Sequence, residues 1–332
     1  MVRIAINGFG RIGRYLTRLV ALHEDCEITV INARADNATL GHLLQYDSSQ
    51  GTYTAHVDCD ADGLSINDKH IRVTHNPLTT LDWKTYPADI VIDTTGTVKT
   101  KSDAERHLEA GAPRLLVSSP LKESDATFVY GVNHTEYMPS KHHIISAASC
   151  TTNCLAPVAK VLHNAFGIEY GTMTTVHAYT MSQRLLDGTE KDLRRARAAA
   201  LSIIPTSTGA AKAIGLVLPE LQGKLHGMAM RVPVATGSIV DFVCMLGTKV
   251  TKEEVNHALE KASQEELAGV LGYTEKPLVS CDYIGTTYAS VIDSLCTDIV
   301  DDSLVKVLSW YDNEASFTNQ LLRLAQYIVT SS

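Results

Sequence analysis

Val2-Arg3-Ile4-Ala5-Ile6-Asn7-Gly8-Phe9-Gly10-Arg11-Ile12-Gly13 opens the chain with a short β-branched run that breaks into glycines at fixed spacing. Apolar residues then recur at Ile12, Leu16, Leu19 and Val20, one face of a helix, and a second β-branched run follows at Ile28 to Ile31. Strand, helix and strand in that order make a βαβ unit. Within it the glycines have a physical use. They let the backbone approach a pyrophosphate, and the helix N-terminus behind them offers unpaired N–H donors and a partial positive charge. The spacing alone describes an ordinary glycine-rich turn; its seat between a strand and a helix turns it into an expected dinucleotide site.

Working outward, the same alternation returns: a strand at Asp89 to Asp93, a helix at Ser102 to Ala110, and strands at Arg114 to Ser118, Thr127 to Val132 and His143 to Ser146. A doubly wound parallel sheet with right-handed crossovers is expected. After residue 150 the pattern changes. A long helix from Asn153 to Phe166 precedes strands at Thr172 to Ala178, Gly227 to Val234, Ser238 to Leu246 and Val305 to Trp310, with a helix at Thr251 to Gln264 among them. That succession predicts an α+β domain with a largely antiparallel sheet. The last segment, Phe317 to Val329, carries Leu321, Leu322, Leu324, Ala325 and Ile328 and predicts a helix that returns to the first domain. The expected division is therefore 1–149, 150–314 and 315–332.

The 332 residues exceed one small core and suit two domains, and 45% hydrophobic with 20% charged residues is ordinary for a globular enzyme. A formal charge of −8 argues against a general nucleic-acid or membrane-surface binder, so any anion site must be local. With no hydrophobic leader at the N-terminus and no long apolar run, a cytoplasmic protein is expected. Seven scattered cysteines, an odd number, do not look like a disulfide scaffold and leave a thiol available as a nucleophile.

An NAD-specific site places an acid at the end of the second strand to accept from the ribose 2′-OH. Here that strand ends Val30-Ile31-Asn32-Ala33-Arg34. Ala33 removes the charge that would repel a 2′-phosphate and Arg34 supplies one to pair with it, so NADP is expected in preference, with NAD possible. The competing reading makes Arg34 a solvated loop residue and gives the ribose to Asp36.

Ser149-Cys150-Thr151-Thr152-Asn153-Cys154 stands where a strand hands over to a helix, a setting that lowers a thiol's affinity for its proton. Cys150 is the candidate nucleophile; Cys154, one turn later, reads as a small buried hydrophobe. No Cys or His pair at ligand spacing accompanies them, so no metal site is expected. His177, in Thr174-Thr175-Val176-His177-Ala178, is the best-placed base among 13 histidines, although a lone strand histidine is more often structural.

Taken together, Asn7 to Arg14 and Ala148 to Cys154 resemble the glyceraldehyde-3-phosphate dehydrogenases. The resemblance runs end to end through Thr175-Val176-His177-Ala178-Tyr179-Thr180, Lys191 to Arg197, Pro205 to Lys212, Met230-Arg231-Val232-Pro233 and Trp310-Tyr311-Asp312-Asn313-Glu314. It implies a Rossmann-like cofactor domain, a catalytic domain and a homotetramer acting on glyceraldehyde 3-phosphate and inorganic phosphate. The reaction it implies is reversible phosphorylating oxidation through a thioester on Cys150, with His177 as base and hydride passing to the nicotinamide. The same resemblance puts Thr180 and Arg231 in the pocket for the substrate's C3 phosphate. Ser149, Thr151, Arg195, Thr208 and Gly209 fall to the attacking phosphate, and Asn313 to the nicotinamide carboxamide. Arg11, Ile12 and Ser118 become further cofactor contacts beside Gly8, Gly10 and Gly13.

Departures from that pattern carry information. NAD-specific members have Asp where Ala33 stands and usually Leu-Pro where this chain has Gly188-Thr189, in a loop that reaches a neighbouring subunit's cofactor; both changes favour a 2′-phosphate. Met181-Ser182 replaces the usual Asn-Asp, which makes the C3-phosphate pocket less negative, and Ala315-Ser316 replaces the common Trp-Gly or Thr-Gly. An erythrose-4-phosphate dehydrogenase shares the Cys and His but usually lacks the Thr of His-Ala-Tyr-Thr, so Thr180 argues against it. A non-catalytic dinucleotide-binding interaction protein is the alternative of another class. Neither the direction of flux nor the degree of cofactor preference is legible.

Overall fold

The computed structural model describes residues 1–331. The chain forms two compact units, one of residues 1–128, 134–148 and 321 onward, the other of residues 129–133 and 149–320. The second unit thus takes the short segment 129–133, which the sequence pattern leaves in the first, and the last helix changes unit near residue 321 and not at its start.

In the first unit, β1 (Val2–Asn7), α1 (Arg11–Val20), β2 (Cys26–Asn32), α2 (Asn37–Gln45), β3 (Val57–Cys59), β4 (Gly63–Ile66), β5 (Lys69–Thr74), β6 (Ile90–Asp93), α3 (Lys101–Glu109), β7 (Leu115–Val117), β8 (Ala126–Thr127) and β9 (Ile144–Ser146) follow in order. They make one sheet ordered β3-β4-β5-β2-β1-β6-β7-β9-β8. From β5 to β8 every neighbour is parallel. The order reverses about β1, the switch point at which doubly wound sheets bind ligands beyond their strand ends. Strands covered on both faces read as unbroken apolar runs, and β6, β7 and β9 are buried at every residue. Val91, Leu115, Val117 and Ile144 pack with Ala104 of α3 and with Trp83, each large apolar side chain contributing about 1.5–3 kcal/mol by leaving water. Thr100 and Asp103 cap α3 reciprocally, the hydroxyl accepting from Asp103 N at 3.2 Å and the carboxylate from Thr100 N at 3.0 Å.

The expected strand from Thr127 to Val132 is cut short. β8 ends at Thr127, and Val132 N turns back onto Val129 O at 3.0 Å. Lys160, in the same unit as this turn, fixes it by donating to Gly131 O at 3.0 Å and Val132 O at 3.2 Å. The apolar residues there are buried as expected, but by tertiary contacts and not by a strand ladder.

The second unit comprises α4 (Cys150–Phe166), β10 (Ile168–Ala178), β11 (Ile204–Ser207), α5 (Ala210–Val217), β12 (Leu225–Val232), β13 (Ser238–Leu246), α6 (Lys252–Gln264), β14 (Leu271–Thr274), β15 (Ser290–Val300), β16 (Leu304–Tyr311) and the start of α7 (Ala315–Thr330). Its sheet runs β11-β12-β10-β13-β16-β15-β14, antiparallel except where β10 meets β12 and β14 meets β15. β13 alternates buried and half-buried residues along its whole length, the period of a sheet with one face on the core. All five apolar residues singled out in the last helix are buried.

Candidate active site

The backbone just ahead of Cys150 is unusual. Ala148 takes φ +58°, a left-handed conformation that costs an L-residue energy and turns the chain sharply from β9 into α4. Ser149 then caps the helix, its hydroxyl accepting from Thr152 N at 3.1 Å. Cys150 therefore occupies the first helical position, where N–H groups lack intrahelical partners. It remains partly exposed.

β10 carries His177 beneath it. Nε2 of His177 lies 3.4 Å from the Cys150 Sγ. Nδ1 lies 2.7 Å from the carbonyl oxygen of Ala178 and 2.7 Å from a guanidinium nitrogen of Arg231, because β12 pairs with β10 and sets Arg231 opposite His177. Arg231 also donates to Ala178 O at 3.0 Å. A carbonyl and a guanidinium make opposite demands on Nδ1. With the proton on Nδ1 and donated to Ala178 O, Nε2 presents a lone pair to the thiol.

Burial opposes a charge on either partner. It raises the Cys150 thiol, against the pull of the Arg231 charge and the Thr151 bonds; it also lowers His177 to about 3, with Arg231 reinforcing it. Burial thus works against the helix terminus, which by itself favours the thiolate. At 3.4 Å the two groups are close enough for a proton to pass between them. Cys154 is fully buried among Ser290 and Ser309, and burial pushes its thiol up to about 12; it is inert packing, as its position one turn on suggests.

The residues expected from the sequence to hold anions all belong to the second unit. Thr151 donates to or accepts from the Tyr311 hydroxyl at 2.9 Å, and Tyr311 reaches Thr175 at the same distance. Tyr311 is fully buried, with its ring edge toward His177 at 5.9 Å between centroids. The sequence reading quotes this tyrosine but assigns it nothing; a bridge between residues 160 positions apart leaves no local signal. Thr180 pairs with Ser182 through their hydroxyls at 2.9 Å. Arg195 donates to Thr206 at 2.8 Å and is near enough to Arg231 to oppose its charge. Thr208 caps the turn before α5, accepting from Ala210 N at 3.2 Å, and Gly209 follows it as the N-cap. Asn313 is buried and its side-chain oxygen accepts from Ser238 at 3.1 Å, which leaves its amide donors for another group. Gly188 and Thr189 are not drawn in: Gly188 N bonds Ala196 O at 2.9 Å and Thr189 O accepts from Arg184 at 2.8 Å, in an exposed loop.

The first unit holds the other set. Gly8 has φ +99°, and a side chain there would strike Thr95 N at 2.8 Å. At Gly10 a Cβ would meet nothing within 4 Å, and α1 begins there with no side-chain cap. Open space before an uncapped helix N-terminus, with Ile12 and Gly13 in its first turn, fits a dinucleotide pyrophosphate. Arg11 is partly occupied, donating to Asp47 at 2.8 Å and also to Ser49; against the cost of burial these bonds and the backbone N–H groups of Ser49 and Gln50 hold the Asp47 carboxyl well below the usual range. Ser118 N bonds Asp93 O at 2.9 Å at the end of β7. Ala33 is buried at the end of β2, whereas Arg34 is exposed and makes no hydrogen bond or ion pair among the described residues.

Two family models match the chain: the glyceraldehyde 3-phosphate dehydrogenase NAD binding domain over residues 2–101 and the C-terminal domain of the same enzyme over residues 149–313. The chain is 53% identical over 330 residues to a glyceraldehyde-3-phosphate dehydrogenase of Geobacillus stearothermophilus, covering 99% of this chain and 98% of that protein. It is 51% identical over 328 residues to glyceraldehyde-3-phosphate dehydrogenase 1 of Bacillus subtilis, 98% of each chain, and 49% identical over 333 residues to glyceraldehyde-3-phosphate dehydrogenase 2 of Trichormus variabilis, 99% and 98%. With the thiol, the imidazole and the glycine-lined helix terminus all in place, the chain belongs to the glyceraldehyde-3-phosphate dehydrogenase family.

Proposed function

We propose that this protein catalyses the reversible phosphorylating oxidation of D-glyceraldehyde 3-phosphate to 1,3-bisphosphoglycerate through a thioester on Cys150, with NADP preferred over NAD. The contact of 3.4 Å between Cys150 and His177 carries the reading. The Cys150 Sγ adds to the aldehyde carbon, and its proton moves through Nε2 of His177 to the carbonyl oxygen, giving a hemithioacetal. His177 next takes the hydroxyl proton so that the C–O bond can become a carbonyl as C1 loses hydride. Gly8, Gly10, Arg11, Ile12, Gly13 and Ser118 would hold the dinucleotide and Asn313 its carboxamide, and the nicotinamide would supply the acceptor for that hydride. An oxygen of inorganic phosphate then attacks the thioester carbon, the C–S bond breaks, and the sulfur leaves to recover the pair's proton. The Cys150 backbone N–H, at the helix start, is placed to support the oxyanion. Thr180 and Arg231 hold the C3 phosphate, while Ser149, Thr151, Arg195, Thr208 and Gly209 receive the attacking one.

Three observations support NADP. Ala33 brings no carboxylate, Arg34 is exposed and free of protein partners among the described residues, and Asp36, the rival for the ribose, is engaged as the cap of α2, accepting from Thr39 N at 2.9 Å and from its hydroxyl at 2.8 Å. A homotetramer agrees with Met181, Leu185, Leu186, Leu193, Leu201 and Ile203, large apolar side chains all exposed in and beside the 179–203 loop, far more than an isolated surface loop tolerates. Gly188 and Thr189 in that loop would then meet a neighbour's cofactor. A cytoplasmic setting agrees with seven free cysteines. Initial rates on glyceraldehyde 3-phosphate and phosphate, with each dinucleotide in turn, test the proposal: a higher specificity constant with NADP supports it, and a clear advantage for NAD overturns the cofactor part.

A further inference from the structure

We infer that Ser238 is a positioning residue for the nicotinamide: its hydroxyl decides which way the Asn313 amide faces, and so turns the N–H donors of Asn313 toward the carboxamide. The inference rests on the dinucleotide reading above and deepens it, tying the cofactor's reacting end to the strand that carries His177.

The placement follows from the sheet. β13 lies between β10 and β16 and runs antiparallel to both, so its first residue, Ser238, stands where its neighbours end, at Ala178 and Tyr311. The backbone just before it is fixed: Gly237 takes φ +89°, and a side chain there would strike Ser280 O at 2.7 Å. Thr236, ahead of that glycine, donates to the Asp312 carboxylate at 2.8 Å, which also accepts from Glu314 N at 2.8 Å and from Gly285 N at 2.9 Å. Both chain neighbours of Asn313 are thereby held, and Ser238 reaches the side chain between them.

The two bonds of Ser238 depend on each other for their direction. Ala178 N–H donates to Oγ at 3.1 Å. Oγ is the acceptor there, so the hydroxyl proton is left to give, and it goes to the side-chain oxygen of Asn313 at 3.1 Å. An amide turned over would face Ser238 with N–H groups and leave that proton without its acceptor, at a place where Ser238, Ala178 and Asn313 are all buried. The Asn313 donors are in this way kept for an acceptor, which the carboxamide oxygen is. Ala178 is also the residue whose carbonyl oxygen receives the His177 ring at 2.7 Å. One residue of β10 therefore anchors the base directly and, through Ser238 and Asn313, the ring that takes the hydride.

Calorimetry on the full-length protein with NADP and with 2′-phospho-ADP-ribose, which lacks the nicotinamide, isolates this contact from the chemistry. Ser238→Ala weakens NADP by about tenfold, the loss of one oriented hydrogen bond, and leaves 2′-phospho-ADP-ribose unchanged. Ser238→Thr, which keeps the hydroxyl, restores most of the difference. NAD and ADP-ribose give the same ratio, so the result does not depend on which dinucleotide is preferred. A serine that only supported the fold would lower the urea midpoint without separating the two ligands. If Ser238→Ala weakens both ligands equally, or neither, the role of Ser238 is overturned while the dinucleotide reading stands. If the parent binds each dinucleotide no more tightly than its ADP-ribose counterpart, the hold of Asn313 on the carboxamide fails and takes this inference with it.

Discussion

The Cys150 sulfur and Nε2 of His177 lie 3.4 Å apart although 27 positions separate them in the chain. The geometry predicts a thiol whose reactivity depends on the imidazole. Burial raises the Cys150 thiol, so without a base the thiolate forms only above the ordinary thiol range. In His177→Asn the midpoint of alkylation at Cys150 therefore moves to higher pH, and turnover falls by about 10²-fold or more. The pH profile of iodoacetamide labelling, read by mass spectrometry at each of the seven cysteines, checks this; an unmoved midpoint would remove His177 from the mechanism.

Ser182 holds the Thr180 hydroxyl at 2.9 Å, at the position where the family resemblance leads to the expectation of a carboxylate. Restoring the charge with Ser182→Asp sets a carboxylate against the substrate's C3 phosphate. KM for glyceraldehyde 3-phosphate is expected to rise by about tenfold, the size of a like-charge penalty of ~1.4 kcal/mol, with kcat little changed. Steady-state kinetics at saturating phosphate and dinucleotide decide it.

Tyr311 joins Thr151 to Thr175 through one buried hydroxyl. Tyr311→Phe leaves both threonines short of a partner, at a cost of about 1–3 kcal/mol measured by urea unfolding. Because Thr151 also belongs to the proposed site of the attacking phosphate, KM for inorganic phosphate rises while that for the aldehyde holds. Equal changes in both would make the tyrosine purely structural.

His107 is fully buried against Trp83, with neither ring nitrogen hydrogen-bonded, and burial lowers it to about 4. The unfolded chain binds this proton first as pH falls, so stability present above about pH 6.5 drains away toward pH 4, by at most ~3 kcal/mol at about 1.4 kcal/mol per unit. Asp93, 3.8 Å away and raised by its own burial, acts with the opposite sign. His107→Phe should lose less stability between pH 7.5 and 5 than the parent does, as followed by urea midpoints. An equal loss would place the acid sensitivity elsewhere.

What the sequence made legible was whatever repeats locally. The period-2 and period-3.6 runs mark β1, α1, β13 and α7, and the glycines before α1 are meaningful because both flanking elements are recognisable. β15 goes unread because Asp293 and Asp298 interrupt its alternation, where its register against β16 also shifts. Val129 and Val132 mislead for the opposite reason, being apolar and β-branched but buried in a turn. Cys150 is nameable from motif and setting, whereas His177, a lone strand histidine by its own surroundings, is picked out by the family resemblance. Tyr311 acts through partners brought in from distant elements and has no signature in its own stretch of chain, whereas Ser182 stands out only against the family pattern.

The central claim is a thioester on Cys150 that phosphate resolves. Rapid mixing of the enzyme with glyceraldehyde 3-phosphate and NADP, without and with inorganic phosphate, tests it directly. The account predicts, without phosphate, a burst of reduced dinucleotide equal to the Cys150 present followed by slow release, and fast steady turnover once phosphate is added. Turnover that is equally fast without phosphate, or a burst that persists in Cys150→Ser, would contradict it.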